Sequence, residues 1–265
     1  MRSRELATIG AVAALLPPAA WLPVCAGAGR TPLLKLTPPV IEMGLFYSGV
    51  KVRIEGTLPP GAKGVVLVRG EGREEVFNKK SRVGPIWVNT GKLRVSGVPS
   101  LYLRFSSEPL RAFLSREAID DNQLDEAAIK NQMRIEPDGD RDAIVSGWLT
   151  LKTQDGTYAL VRDAVKMGTP GPAGVPYWVE FQWPKKAPPA RYQVWVYECR
   201  DRSVINVVSA PLPVVKVGFP AWLAAMATQR AAAYGVAAVL AAVLAGFGID
   251  FLAALVFGHR RAARH

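Results

Sequence analysis

The sequence predicts a mainly β chain: an antiparallel sandwich-like domain with a helical insertion, followed by one C-terminal transmembrane helix. Three observations carry this expectation. Val50–Gly56 alternates apolar and polar residues strictly, the period of a half-buried strand. Short apolar runs bounded by Gly and Pro recur from Pro39 to Phe105, the spacing of sandwich strands and their turns. Ala231–Phe257 is apolar but for Asp250. As a helix it would reach about 40 Å, more than the ~30 Å hydrocarbon core of a bilayer.

The elements follow in chain order. Arg2 and Arg4 make a positive n-region, Leu6–Leu22 is largely apolar, and Ala26-Gly27-Ala28 fits an A-x-A cleavage site. Residues 1–28 are therefore expected to be a signal peptide. The alternatives are an uncleaved N-terminal anchor, which Pro17-Pro18 would interrupt, and a lipoprotein site at Cys25, where bulky Val24 stands in the preceding position. Residues 29–218 are expected to form the β-rich domain. Pro59-Pro60-Gly61 turns the first clear strand, and Gly64–Val68 is a continuous apolar run suited to a strand buried on both faces. Gly70-Glu71-Gly72 is expected as a hairpin turn, with Glu74–Phe77 returning. Ile86–Val88, Leu93–Val95 and Leu101–Phe105 complete the set.

A helical insertion is expected over about 107–156. Ser107 is the expected N-cap, with Glu108 and Pro109 opening the helix. Leu110, Phe113, Leu114, Leu124, Ile129 and Met133 continue the helical period. Pro137-Asp138-Gly139 breaks it, and a further helix is expected from Asp142 to Gln154, capped by Asp142. Residues 168–176 read as a loop. Tyr177–Trp183 and Arg191–Glu198 read as strands, and a last strand over about Val204–Ser209 leads through Pro211 and Pro213 towards the membrane. Whether this is one sandwich or two subdomains is left open. Residues 219–258 form the juxtamembrane segment and transmembrane helix, and residues 259–265 a basic tail.

Charge and residue usage exclude several functions. The chain carries +11, and residues 29–218 hold 27 Lys and Arg against 20 Asp and Glu, with no basic run interleaved with aromatics. Nucleic acid is therefore not expected as a partner, and a basic surface facing an anionic membrane accounts for the charge. Cleavage after Ala28 would leave Cys199 as the lone cysteine, so no internal disulfide is expected, and its strand setting predicts a buried thiol. Both histidines, His259 and His265, lie in the tail. A Ser-His-Asp or Cys-His apparatus and a histidine zinc site are thereby excluded from the domain. Asp138–Asp142 opens like a calcium loop, but Ala143 replaces the turn glycine and Leu149 the closing Glu. Gly70-Glu71-Gly72 lacks the third glycine of a dinucleotide fingerprint, and Gly91-Lys92 lacks the rest of a P-loop. No catalytic residue, cofactor or metal is expected.

Two surfaces are candidate sites. Trp87 and Asn89, together near a strand end, either line a recognition surface or serve the core and the turn into Thr90-Gly91. In the anchor, Tyr234, Ala238, Ala242, Gly246 and Asp250 recur every four residues beside Ala237, Ala241 and Ala245. Small side chains let helices approach closely in lipid. Asp250 either pairs with a polar or basic group on a partner helix or sits at the headgroups. Arg260, Arg261 and Arg264 are expected to hold the C-terminus in the cytoplasm. Phe219–Met226, with Trp222, is expected at the outer interface.

Several blocks carry a resemblance: Gly49–Gly56, Val65–Gly70, Gly84–Asn89, Gly97–Tyr102, and the anchor from Tyr234-Gly235 through Ala245-Gly246 to Phe257. On these the chain resembles the uncharacterised alphaproteobacterial transmembrane protein family. Where the resemblance leads one to expect a P-x-G-x-Y-like turn, this chain has Pro189-Ala190-Arg191-Tyr192. The resemblance implies a signal sequence, a periplasmic domain, one C-terminal helix in the inner membrane and no assigned activity. It also implies a transport partner, a sulfite-exporter-like permease. The reading reached is a non-catalytic accessory subunit of an integral membrane partner. The alternatives are a free-standing envelope module that binds a small molecule or glycan, and a histidine-free periplasmic enzyme.

Overall fold

The computed structural model describes residues 34–258. The signal-peptide expectation and the basic tail fall outside these residues. Chain order begins with β1 (Lys35–Thr37), β2 (Ile41–Met43), β3 (Lys51–Leu58), β4 (Lys63–Arg69), β5 (Glu75–Val83), β6 (Ile86–Ser96) and β7 (Tyr102–Ser106). Short helices follow, α1 (Leu110–Phe113), α2 (Arg116–Asp121) and α3 (Glu126–Gln132), then β8 (Arg134–Glu136) and α4 (Arg141–Gln154). The chain continues through β9 (Tyr158–Val161), β10 (Lys166–Met167), β11 (Val175–Gln182), β12 (Arg191–Arg200) and β13 (Ser203–Lys216). It ends in α5 (Phe219–Gln229) and α6 (Ala231–Gly258).

The strands form three sheets, ordered β1-β3-β11-β10, β2-β13-β12-β4-β7-β9 and β5-β6-β8. The first two pack face to face as the predicted sandwich. From β3, Val52, Ile54 and Leu58 point inward and meet Val66, Val68, Leu103, Phe105 and Val194 of the six-stranded sheet. Trp183 is fully buried among them, edge-on to Tyr192 with ring centroids 4.9 Å apart. The outward residues of β3 are charged. Lys35–Glu55 (2.9 Å), Arg53–Glu180 (2.9 Å) and Lys51–Glu180 (2.5 Å) are cross-strand pairs, and Arg53–Glu55 (2.6 Å) within β3 links them into a ladder.

The other face of the six-stranded sheet is covered around β4, β7 and β9. Val65, Leu67, Tyr102, Tyr158 and Cys199 pack against Leu114, Ile119, Leu124, Ile129 and Trp148 from the helical segment, and against Val95 and Ile135 of the third sheet. Pleating sends successive β4 residues to opposite sides, so Val66 and Val68 enter one core while Val65 and Leu67 enter the other. This explains why β4 reads as an unbroken apolar run rather than an alternation. A half-buried pair ties the third layer together. Lys152 on α4 bonds Glu75 of β5, Trp148 Nε1 donates to the same carboxylate at 3.2 Å, and the Lys152 ammonium lies 5.4 Å from the Trp148 ring.

Several local expectations are corrected. Gly70-Glu71-Gly72 is not a hairpin turn, because β4 and β5 lie in different sheets. It is a crossing held by Gly70 N–H to Leu101 O (2.9 Å) and Ser100 N–H to Glu71 O (2.9 Å). Thr90-Gly91 makes no turn either. β6 runs through it, with a register shift opposite Lys79 and Lys80 that absorbs one extra residue as a bulge. Ser107 caps no helix: α1 starts three residues later with Pro109 at the N-cap, and the Ser107 hydroxyl is buried without a partner. Asp140, not Asp142, caps α4, accepting from Ala143 N–H at 3.1 Å. The insertion also contains strand β8, paired with β6.

Two pairings depart from the antiparallel rule, β7 with β9 and β13 with β2. β13 also runs past Ser209 to Lys216, through both prolines. Val214 N–H donates to Ala190 O (2.9 Å), so the ring nitrogens of Pro211 and Pro213 face away from β12. There a missing N–H breaks no ladder bond. Gly97, at the joint between the third sheet and the central one, has φ +80°, and a Cβ there would lie 2.3 Å from Gln132 O. Only glycine fits that crossing.

Two tests follow from this packing. Leu67→Ala and Leu103→Ala, on opposite faces of the central sheet, should each cost about 2–5 kcal/mol in denaturant unfolding. Val207→Ala, on an exposed position of β13, should stay within about 0.5 kcal/mol. A central sheet with one solvated face would leave one of the two leucines tolerant.

Burial pushes the Cys199 thiol up to about 12, with the charge of Glu198 adding to it, and burial pushes Tyr192 up to about 12. Unfolded thiols and phenols titrate near pH 8.5 and 10. The unfolded chain therefore releases these protons first. Stability is undiminished below about pH 8.5 and falls as pH rises towards 12, by up to about 1.4 kcal/mol per pH unit for each group. Native Cys199 should resist a thiol reagent at pH 8 and react fully in denaturant. Rapid native labelling would show the second core to be open.

Candidate functional site

The anchor is a single regular helix. Ala231–Ala254 is long and apolar enough to cross a bilayer, and none of it is buried against the rest of the chain. Tyr234, Ala238, Ala242, Gly246 and Asp250 all lie on it and are exposed. They fall on one ridge of the helix, about 24 Å from first to last at ~1.5 Å per residue. Each step of four residues turns about 40° beyond a full circle, so the ridge winds round the helix rather than forming a straight face. A second helix following such a ridge would cross at an angle, in the right-handed manner of small-residue dimers. A Cβ added at Gly235, Gly246 or Gly248 would meet nothing within 4 Å. The chain's own packing therefore gives no reason for glycine at these positions. Asp250 makes no ion pair among the described residues and lies about 6 Å inside Ala254.

The segment before the anchor is also apolar on one side. Phe219, Trp222 and Leu223 of α5 are exposed and share a face with Met226 by helical spacing. The Phe219 and Trp222 rings stack at 5.7 Å. β2 runs parallel to the end of β13, with Lys216 opposite Met43 and Val217 N–H donating to Met43 O at 3.1 Å. Both chains thus leave the sheet at the same end, in the same direction. One enters α5. The other enters the loop Gly44–Gly49, where Phe46 is 92% exposed beside exposed Leu45.

Trp87 and Asn89 lie near the tip of the β5–β6 hairpin, which closes through Gly84 (φ +61°) and Pro85. Trp87 is opposite Arg82 and Asn89 opposite Lys80, next to the bulge. Asn89 is exposed. The Gly84–Asn89 and Gly97–Tyr102 blocks therefore have structural work: one is the hairpin tip, the other the joint into the central sheet.

A concave feature that sequence reasoning did not single out lies elsewhere. Arg104 of β7 is 6% exposed, on the helix-covered face of the central sheet. Its one hydrogen bond among the described residues runs from Nη1 to Leu124 O at 2.8 Å, and its buried Nε has no partner. Burial, and next the charge of Arg162, pull its pKa below the usual guanidinium range. It lines a cavity of about 360 Å³ together with Arg111 and Arg162, walled by Leu110 and Leu160. None of the three arginines pairs with a carboxylate among the described residues. The two acids at the cavity are engaged elsewhere. Asp125 caps α3 through Ala128 N–H (3.2 Å), and Glu126 pairs with Lys130 (2.7 Å). Sequence reasoning missed this cluster, because its members come from β7, α1 and the turn after β9. One signal was present: Arg104 interrupts Leu101–Phe105, a strand otherwise apolar on both faces.

No protein of curated function and no solved structure matches the chain significantly. A family model described as "Putative transmembrane protein (Alph_Pro_TM)" matches residues 33–254, from β1 through the anchor helix. The match takes in the sandwich, the helical layer and the span together, and the chain belongs to this transmembrane protein family.

Proposed function

We propose that this chain is a non-catalytic accessory subunit, anchored by α6 and assembled with an integral membrane partner through that helix. The observation that carries the reading is Asp250, an exposed carboxylate set on a ridge of small residues inside the span. An isolated carboxylate near a helix centre costs on the order of 3 kcal/mol on insertion scales, and less towards the interface. A polar or basic group on a neighbouring helix would offset that cost, and the small ridge would let the neighbour approach. The absence of histidine from residues 29–258 supports a non-catalytic role. In this reading the β domain is periplasmic and the tail cytoplasmic. Arg2 and Arg4 before the apolar N-terminal run support that orientation, as do Arg260, Arg261 and Arg264 after the anchor. α5 and the Phe46 loop then rest on the outer headgroups, where Trp and Phe partition well. A permease of the sulfite-exporter-like kind is the partner class proposed.

Mild-detergent purification of wild type beside Ala242→Leu and Asp250→Leu tests the assembly. A polytopic protein should co-purify with wild type and be lost from both variants. Survival of the same partner in both would leave α6 a tether. The interfacial contact has a separate test. Phe46→Cys in a Cys25→Ser background, labelled with an environment-sensitive dye, should blue-shift on moving from detergent-free nanodisc edges of low lipid content to filled nanodiscs and be quenched by lipid-borne quenchers. Ile205→Cys, at the opposite end of β13, should not be quenched. Equal quenching at both positions would remove the loop from the interface.

A further inference from the structure

We propose that the Arg104 cavity is a binding site for a small oxyanion, a sulfate, phosphate or carboxylate group, independent of any role of α6. The proposal rests on charge placement. A buried cation normally has a carboxylate partner, since an unpaired charge away from water is costly. Arg104 has a single carbonyl as partner, and the charges acting on it include a second cation, Arg162, and one carboxylate, Asp125, which is engaged at the cap of α3. Arg111, from α1, lines the same space. The fold has thus placed three guanidinium groups around one opening and committed both adjacent carboxylates to other bonds. An anion between them would relieve the repulsion and accept charge-assisted hydrogen bonds from planar donors that suit oxyanion geometry.

The cavity's construction fits a ligand rather than a plain structural arginine. A purely structural Arg104 would need only its bond to Leu124 O, which holds the α2–α3 junction onto β7. That role explains neither the cavity nor the two exposed arginines left without acids. Leu110 and Leu160 give the walls apolar character, which lowers the local dielectric and strengthens each contact to an anion. At about 360 Å³ the space holds an oxyanion with a small organic substituent.

Calorimetric titration of the full detergent-solubilised protein decides the matter, using low-millimolar sodium sulfate and sodium phosphate against sodium chloride at equal ionic strength. Saturable binding of sulfate or phosphate is expected, with chloride silent. General stabilisation by such salts needs far higher concentration, does not saturate, and would persist in every variant. Arg162→Gln and Arg111→Gln change exposed side chains and should leave thermal unfolding unchanged. Each should weaken binding by about tenfold or more, the loss of a charge-assisted bond. Arg104→Gln should abolish binding, and the two exposed variants carry the test if that protein fails to fold. Dihexanoyl phosphatidate, titrated alongside, separates the sources. Binding of phosphatidate with silence from the inorganic ions assigns the site to a lipid headgroup, and binding of the inorganic ions assigns it to a free anion. No saturable binding of any of the three, or binding unaltered by Arg162→Gln and Arg111→Gln together, overturns the proposal.

Discussion

Everything in the domain leans on a sheet buried on both faces. β4 is the axis of that arrangement, flanked by β12 and β7, with Val65, Val66, Leu67 and Val68 each at most 2% exposed. Burying such a side chain stabilises by about 1.5–3 kcal/mol, and β4 delivers two residues to each core. The centre of such a sheet cannot tolerate a solvated face, so the chain must supply two covers there. The first is the four-stranded sheet around β3 and β11. The second is a composite of short helices and the β5-β6-β8 sheet, drawn from residues between β4 and β9. The helical insertion is therefore not an ornament on a two-layer sandwich. It is the third layer, and the Glu75–Lys152–Trp148 cluster holds its two halves together.

This layering decides what was legible in the sequence. The period-two pattern of Val50–Gly56 located β3, because one face of β3 is core and the other a charged ladder. The unbroken run at Gly64–Val68 located β4 and its double burial. Local chemistry misled where the partner was distant. Gly70-Glu71-Gly72 has hairpin composition, yet the next strand belongs to another sheet. Ser107-Glu108-Pro109 has cap composition, yet the hydroxyl is turned inward and the helix begins later. Pro211 and Pro213 read as strand breakers, and would be, had their nitrogens faced β12. β8 and β9 are three and four residues long, too short to show a period, and exist because longer strands recruit them.

The candidate sites divide along the same line. A transmembrane helix is a local object, so its ridge of small residues and Asp250 could be read directly, and the regular helix adds only their winding. The arginine cavity is assembled from three separated segments. No spacing rule joins residues 104, 111 and 162; the parallel pairing of β7 with β9 joins two of them, by setting Arg104 opposite Leu160 two residues before Arg162, and α1 adds Arg111. Of the blocks that carry the family resemblance, Gly84–Asn89 is a hairpin tip and Gly97–Tyr102 a joint, which accounts for Gly84 and Gly97 without appeal to a ligand.

The way β13 joins the anchor has a mechanical side. β13 is paired with β12 over its whole length up to Pro213, and its last residues pair with β2 before the chain passes to α5 and α6. Ladder bonds lie across the strand direction. A pull from the bilayer along β13 would therefore load the β12 ladder in shear, many bonds at once, rather than peeling them singly. Lateral drag on the anchor would reach the domain as force on the central sheet itself. The domain is hung from its central sheet.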